Sequence, residues 1–196
     1  MIDEAHARHG VVRVIDVGGT EAYWRVVSAD FLETRQVHIT IVNLPTESHP
    51  VDHGPFHFVG ADGCRLDEFS DSAFHIAHSN SVVEHVGDWS RMKAFANELM
   101  RVGQRYFVQT PNYWFPVEPH CMVPFFHWLP RPIRLSLVLR FELGNWKRAR
   151  DVDEGIAALS SACLLDRRMM RALFPQAEIL TERILLFPKS FVAVSR

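Results

Sequence analysis

The decade Val11-Val12-Arg13-Val14-Ile15-Asp16-Val17-Gly18-Gly19-Thr20 decides the fold. A short, β-branched, apolar run ends on a carboxylate and two adjacent glycines. Bounded in this way it reads as a strand buried on both faces, as in a parallel sheet, and not as a helix. The glycines remove side chains where the backbone must turn sharply or approach a ligand. A helix starting just beyond them would offer free N–H groups and the positive end of its dipole. Two glycines after a strand also make an ordinary turn, so this loop by itself leaves both readings open.

Outward from that strand the pattern repeats. Glu21 to Phe31 carries apolar residues at mixed helical spacing. Val37 to Leu44 reads as a second strand stopped by Pro45, Phe56 to Gly63 as a third ending in Gly60-Ala61-Asp62-Gly63, and Phe74 to Asn80 as a fourth. Ser81 to Asp88 is a loop. Trp89 to Val102 is an amphipathic helix with Asp88 as N-cap, Arg91 where a capping box would place Glu, and Gly103 as its stop. Trp89, Met92, Phe95, Ala96, Leu99 and Met100 form its apolar stripe. Arg105 to Thr110 is a fifth strand, closed by Pro111-Asn112. This alternation predicts an α/β fold: a Rossmann-like, mostly parallel sheet with helices on both faces. Right-handed crossovers then gather the loops Asp16–Thr20, Asn43–Leu44, Ala61–Gly63, Ser79–Asp88 and Thr110–His120 at the carboxyl ends of the strands.

Beyond Asn112 the texture changes. From 113 to about 150 aromatic residues interleave with Pro116, Pro119, Pro124, Pro130 and Pro132, which reads as an insertion or cap within a single domain spanning 1–196. Arg134 to Leu143 could be a short basic-apolar helix, Asp151 to Gly155 a polar break, and Leu164 to Phe174 a further helix with Arg167, Arg168 and Arg171 on its wet side. The tail, Ala177 to Phe187 and Phe191 to Ser195, reads as a C-terminal antiparallel hairpin split by Pro188-Lys189-Ser190. Almost no leading helix precedes the first strand.

Composition narrows the chemistry. The 196 residues are 47% hydrophobic and 22% charged with net charge -2, so no basic field points to nucleic acid. No apolar run is long enough for a membrane span, and Met1 to Gly10 does not read as a signal peptide. Cys64, Cys121 and Cys163 are too far apart for a zinc motif and odd in number, which fits reduced thiols and a cytoplasmic protein. Eleven histidines include no HExxH, and no metal site is expected. A nicotinamide dehydrogenase would need Gly-x-Gly-x-x-Gly, whereas Gly18 and Gly19 are adjacent, and a Tyr-x-x-x-Lys pair, whereas Tyr106 and Tyr113 are followed by Thr110 and Val117.

The ordered set Val-Ile-Asp-Val-Gly-Gly-Thr, Gly-Ala-Asp-Gly, Ser79-Asn80-Ser81-Val82-Val83-Glu84-His85-Val86-Gly87-Asp88-Trp89 and Tyr106-Phe107-Val108-Gln109-Thr110-Pro111-Asn112 resembles class I S-adenosylmethionine-dependent methyltransferases, over about residues 11–112. It is most similar to the small-molecule group. The resemblance implies S-adenosylmethionine as cofactor. Asp16, Gly18, Gly19 and Thr20 would line its methionine and ribose end, and Asn43 would face the ribose hydroxyls. Asp62 would accept from the adenine amino group with Gly63 beside it. Asn80 and Ser81 would lie near the amino acid moiety. Glu84 and His85 would sit under the reacting methyl at the substrate mouth, and Tyr113, Trp114 and Trp128 would contact the acceptor together with His120.

Two departures from the family pattern stand out: Asn43 replaces the usual carboxylate, and the glycine loop is short. They motivate a rival reading, a binding protein of the same fold with a weakened cofactor site. Each residue also has a plainer role: Asp62 as a turn former, Glu84 and His85 as a brace for the next helix, the aromatics as core or lid. His85 or His120 would be the base if the acceptor must lose a proton. The acceptor is expected to be small or hydrophobic. The exposed aromatics of 113–141 are equally suited to a homodimer interface. Arg131, Arg134 and Arg140 read first as a solvated face, with peripheral membrane contact as the alternative.

Overall fold

The computed structural model describes residues 1–47 and 50–195. Its centre is one seven-stranded sheet in the order β3-β2-β1-β4-β5-β7-β6. The strands are β1 (Val12–Val17), β2 (Val37–Asn43), β3 (Phe56–Gly60), β4 (Phe74–Asn80), β5 (Gly103–Pro111), β6 (Glu178–Ile184) and β7 (Phe187–Val194). The first five pair in parallel, and β7 runs antiparallel to both β5 and β6. The fold is therefore the Rossmann-like α/β sheet with a C-terminal hairpin that the alternation predicts. The order reverses between β1 and β4, and the strand-end crevice of such a sheet opens at that switch point.

Strand parity sorts the core into two layers, because successive side chains leave a strand on opposite faces. Ile15 and Val17 of β1 join Val42, Ala77 and Val108 under Phe95 and Leu99 of α4 (Trp89–Val102) and Met170 and Leu173 of α7 (Arg167–Leu173). Val12 and Val14 face the other way, toward Ile39 and Ile41. That face is covered by Trp24 of α2 (Glu21–Trp24), Leu32 of α3 (Ala29–Thr34), and Ile2 and Ala5 of α1 (Ile2–His9). Helices cover both faces.

The helix α4 has the bounds read from sequence. The Asp88 carboxylate accepts from the Arg91 N–H at 3.0 Å, and Met92, Phe95, Ala96, Leu99 and Val102 are buried. Trp89, expected in that stripe, sits in the first turn and is 37% exposed. Glu98 fastens the β3–β4 connection to this helix. It accepts from the Leu66 N–H and from Arg101, whose guanidinium also donates to the carbonyls of Leu66 and Phe69.

Several boundaries differ from expectation, each for a local reason. The helix expected over Glu21–Phe31 is broken in two, because Ser28 caps a new start by accepting from Phe31 N–H. A leading helix, α1, does exist, although none of its residues lines the strand-end hollow described below. Asp151, expected in a polar break, instead N-caps α6 (Val152–Ser160) through Glu154 N–H. The basic-apolar helix α5 spans Arg131–Arg140, earlier than read, since Pro132 suits a first turn. The hairpin turns at Leu185-Leu186 and not at Pro188-Lys189-Ser190. Pro188 lies inside β7 beside a register shift between Glu182 and Arg183, where a missing N–H is tolerated. Within 113–150, Cys121, Phe126 and Val138 make a small apolar cluster of their own with Leu135 and Trp146 packed on it.

Replacing Phe95 by Ala should cost about 3–5 kcal/mol, read from the urea midpoint, because the ring is fully buried at the centre of the larger cluster. Arg101 holds the Glu98 carboxyl below its usual range against a smaller burial penalty. A carboxylate with a lowered folded pKa contributes stability above the unfolded value and loses it as pH falls through the folded one. Glu98→Gln should therefore be destabilised at pH 7, and its deficit relative to the unsubstituted protein should shrink as unfolding is measured at progressively lower pH below about 4.

Candidate functional site at the strand ends

The end of β1 is organised by a buried carboxylate. Asp16 is fully buried, and an ionised carboxylate in that position requires donors on its oxygens. The Trp24 indole N–H donates to Oδ2 at 2.7 Å, and His78 Nδ1–H donates to Oδ1 at 2.7 Å. On the far side of the imidazole the Tyr23 hydroxyl reaches Nε2 at 3.2 Å. Burial, then the Asp16 charge, raises the Tyr23 pKa, which keeps that hydroxyl protonated. Asp16 has the parity of Val12 and Val14, so its side chain points toward α2 and away from the α4 face.

The chain then turns through the glycines. Gly18 has φ +76°, and a Cβ there would stand 2.5 Å from a Val82 methyl. A Cβ on Gly19 would fall 1.8 Å from Asp16 Oδ2. Both positions therefore need glycine because of the packing around them. Thr20 caps α2 by accepting from Tyr23 N–H.

On the α4 side of this loop lies a hollow of about 360 Å³, within the range of small-molecule sites. It is lined from four strand ends: Val17, Gly18 and Thr20; Val42, Asn43 and Leu44; Ala61, Asp62 and Gly63; Ser81, Val82 and His85. Arg91 and Phe95 of α4 complete it. Of the residues read as cofactor-binding, the structure thus brings together Gly18, Thr20, Asn43, Asp62, Gly63 and Ser81. Asp16, Gly19 and Asn80 are not among the lining residues. Asn80 has the parity of Ile76 and His78, which belong to the opposite face.

The polar groups of the hollow are partly engaged. Asn43 Nδ2 donates to the Gly19 carbonyl at 3.0 Å, tying the ends of β1 and β2. Asp62 closes an Asx turn by accepting from Cys64 N–H, and Arg91 donates to both its oxygens at 2.9 and 3.0 Å. Burial opposes the charge, but Arg91 and the Cys64 N–H prevail and hold the Asp62 carboxyl below its ordinary range. Ser81 (φ +56°) donates its hydroxyl to Gln109 Oε1 at 3.0 Å. Trp24, Tyr23, His78 and Arg91 are the site-building residues that sequence reading missed. Only the helix register of Arg91, one turn into α4 and so at the rim, could have signalled it.

A second hollow of about 360 Å³ lies beside the first, lined by Tyr113, Glu118, His120, Phe126, His127, Arg134, Trp146 and the 158–164 segment. His85 on the first hollow and His120 on the second face each other, with Nε2 atoms 3.0 Å apart. Glu84, beside His85 in a 3-10 turn (Val83–His85), is buried and accepts from the Thr110 hydroxyl at 2.9 Å. Of the residues read as acceptor-binding, Tyr113 lines this second hollow. Trp114 and Trp128, 62% and 40% exposed, line neither and lie near each other on the surface, ring centroids 6.3 Å apart. A larger hollow of about 700 Å³ sits at the opposite ends of β2 and β3, around Trp24, Leu32, Val37 and Phe56, and gathers none of the residues read as cofactor- or acceptor-binding.

Comparison with solved structures matches the fold. A SAM-dependent methyltransferase from Methanosarcina mazei superposes with TM-score 0.58 at 15% identity, over 94% of this chain and 91% of that one. The chain has the class I S-adenosylmethionine-dependent methyltransferase fold. The 1,6-didemethyltoxoflavin-N1-methyltransferase of Burkholderia thailandensis, solved with S-adenosylhomocysteine, gives TM-score 0.55 at 12% identity over 100% of this chain and 75% of that one. A structure titled a putative Zn-dependent alcohol dehydrogenase, from Rhodobacter sphaeroides, also gives 0.55, at 10% identity over 95% and 84%. A shared fold does not carry one chemistry. No family model matches the sequence. The uncharacterized proteins Rv1509 and MT1557 of Mycobacterium tuberculosis are 34% identical over 64 residues, which is 32% of this chain and 22% of theirs. No helix among the described residues is long and apolar enough to cross a membrane.

Asp16→Ala leaves the Trp24 and His78 donors buried without an acceptor. It should destabilise the fold by about 3–5 kcal/mol in chemical denaturation, much more than an exposed carboxylate would.

Proposed function

We propose that the protein is an S-adenosylmethionine-dependent methyltransferase acting on a small or hydrophobic acceptor. The observation that carries this reading is the convergence of the ends of β1, β2, β3 and β4 on one hollow of suitable size, open at the topological switch point. Gly18 and Gly63 let the backbone form its wall, and Thr20, Asn43, Asp62 and Ser81 supply its polar groups. The cofactor, when bound, supplies an electrophilic methyl group on a sulfonium. This chain's own task is to hold donor and acceptor in line, and such alignment is worth several kcal/mol of a barrier. The second hollow suits the acceptor: it adjoins the first at His85 and His120 and presents Tyr113, Phe126 and Trp146. In this reading a proton released by the acceptor goes to the His85–His120 pair.

A rival reading, a binding protein of this fold with a weakened cofactor site, draws on two engaged groups. Asn43 is committed to Gly19, and Asp62 to Arg91. Calorimetric titration with S-adenosylhomocysteine separates the two. The enzyme reading expects one site with sub-millimolar affinity. Leu44 lines the hollow and is 47% exposed, so Leu44→Trp should fold normally yet occlude the site and weaken binding by at least about tenfold. Absence of binding in the unsubstituted protein would favour the rival, and equal affinity in Leu44→Trp would place the ligand elsewhere.

A further inference from the structure

Two imidazoles meeting through ring nitrogens require something between them. His85 Nδ1 lies 2.7 Å from the Ser161 carbonyl, and His120 Nδ1 lies 2.7 Å from Glu118 Oε1. A carbonyl and an ionised carboxylate only accept, so both Nδ1 atoms carry the hydrogen and donate it. With both Nδ1 atoms donating, the two Nε2 atoms, 3.0 Å apart, share either a proton or a cation. A third donor joins them: Glu84, His85 and His120 each place a ligating atom within 4.8 Å of the others. Glu84 is 1% exposed, its Oε2 is taken by Thr110, and its Oε1 has no partner.

We propose that Glu84, His85 and His120 bind one divalent transition-metal ion of the zinc type. Two imidazoles and a carboxylate are the donor set of an open tetrahedral zinc site, with the fourth position left for water or substrate. Zinc–nitrogen bonds of about 2.0–2.1 Å at tetrahedral angles put two ligand nitrogens about 3.3–3.4 Å apart, within a few tenths of an ångström of the 3.0 Å found here. The outer shell is also built. The Nδ1–H groups donate to a carboxylate and a carbonyl, the arrangement that fixes the tautomer and orientation of metal-binding histidines. The Cys163 N–H donates to the Glu84 carbonyl at 2.7 Å, so the chain that supplies Ser161 is fastened to the turn that carries Glu84 and His85. Glu118 also accepts from the backbone N–H groups of His120 and Cys121, which fixes it as the outer partner of the His120 ring.

The site stands where the two hollows meet, and its open position would receive a polar atom of a ligand there. An ion held by His85 and His120 would take the place of the proton-accepting role given to that pair above, so the two uses of these residues exclude each other. Recognition of the site does not depend on the cofactor reading, since it rests on the geometry of the three side chains alone.

The test is calorimetric titration of Zn²⁺ into the chelator-treated full chain, repeated with Co²⁺ while recording its visible absorption. One equivalent should bind, with the spectrum of a four-coordinate ion. His85→Ala and His120→Ala should each weaken binding at least about a hundredfold and abolish that spectrum, with far-ultraviolet dichroism confirming the fold. Glu118→Gln, which leaves all three ligands, should weaken binding by about 10–100-fold, a loss that adventitious binding to surface histidines would not show. Leu44→Trp should bind zinc as the unsubstituted protein does, even if it fails to bind S-adenosylhomocysteine. Failure to bind one equivalent, or unchanged affinity in both histidine variants, overturns the proposal.

Discussion

The carboxylate of Asp16 is the constraint on which the strand-end architecture depends. It ends the central strand with no access to water, and burying it requires donors with good geometry. Trp24 from α2 and His78 from β4 meet that requirement. In doing so they fix the first turn of chain after β1, bind β1 to its neighbour across the switch point, and hold the glycine loop over the sheet. Gly19 is glycine because the carboxylate occupies the place of its Cβ, and Gly18 because Val82 closes in from the β4 end. One buried charge on one face thus shapes the loop that walls the hollow on the other.

The hollow and the His85–His120 meeting are linked through the same strand ends. Val82 packs on Gly18, and the 3-10 turn that follows carries Glu84 under Thr110 and His85 out to the rim. His120 arrives from the cap, held by Glu118, which also gathers the backbone of Cys121. Sheet and cap therefore meet through a cluster of titratable groups and not through an apolar seam alone. Such a junction suits chemistry: apolar contact would give adhesion, whereas facing imidazoles and a buried carboxylate give a place for a proton or a cation.

The likeness to methyltransferases of known structure lies in the backbone, at identities of 15% and below. The side chains of the hollow have their own pattern. Arg91 clamps Asp62 from α4, and Asn43 braces the glycine loop, so part of the polar lining is already paired before any ligand enters. A ligand must exchange those bonds for its own, which is why direct titration is the informative measurement.

Much of the fold was legible in the chain. Buried β-branched runs, their glycine and proline stops, and the stripe of α4 are local signals, and they specify the alternating sheet because helix and strand periods differ. Family resemblance of the loop motifs pointed to the strand ends, and six of the nine residues named as cofactor-binding line one hollow there. What local sequence could not supply was direction. Asp16 and Asn80 stand on strands whose alternation sends them to the far face, a matter of register across the sheet and not of residue type. Nor could spacing find the Glu84–His85–His120 cluster. Its members span 36 residues and obey no helical or hairpin interval, because the cap brings His120 back across the sheet only after the tertiary structure has formed.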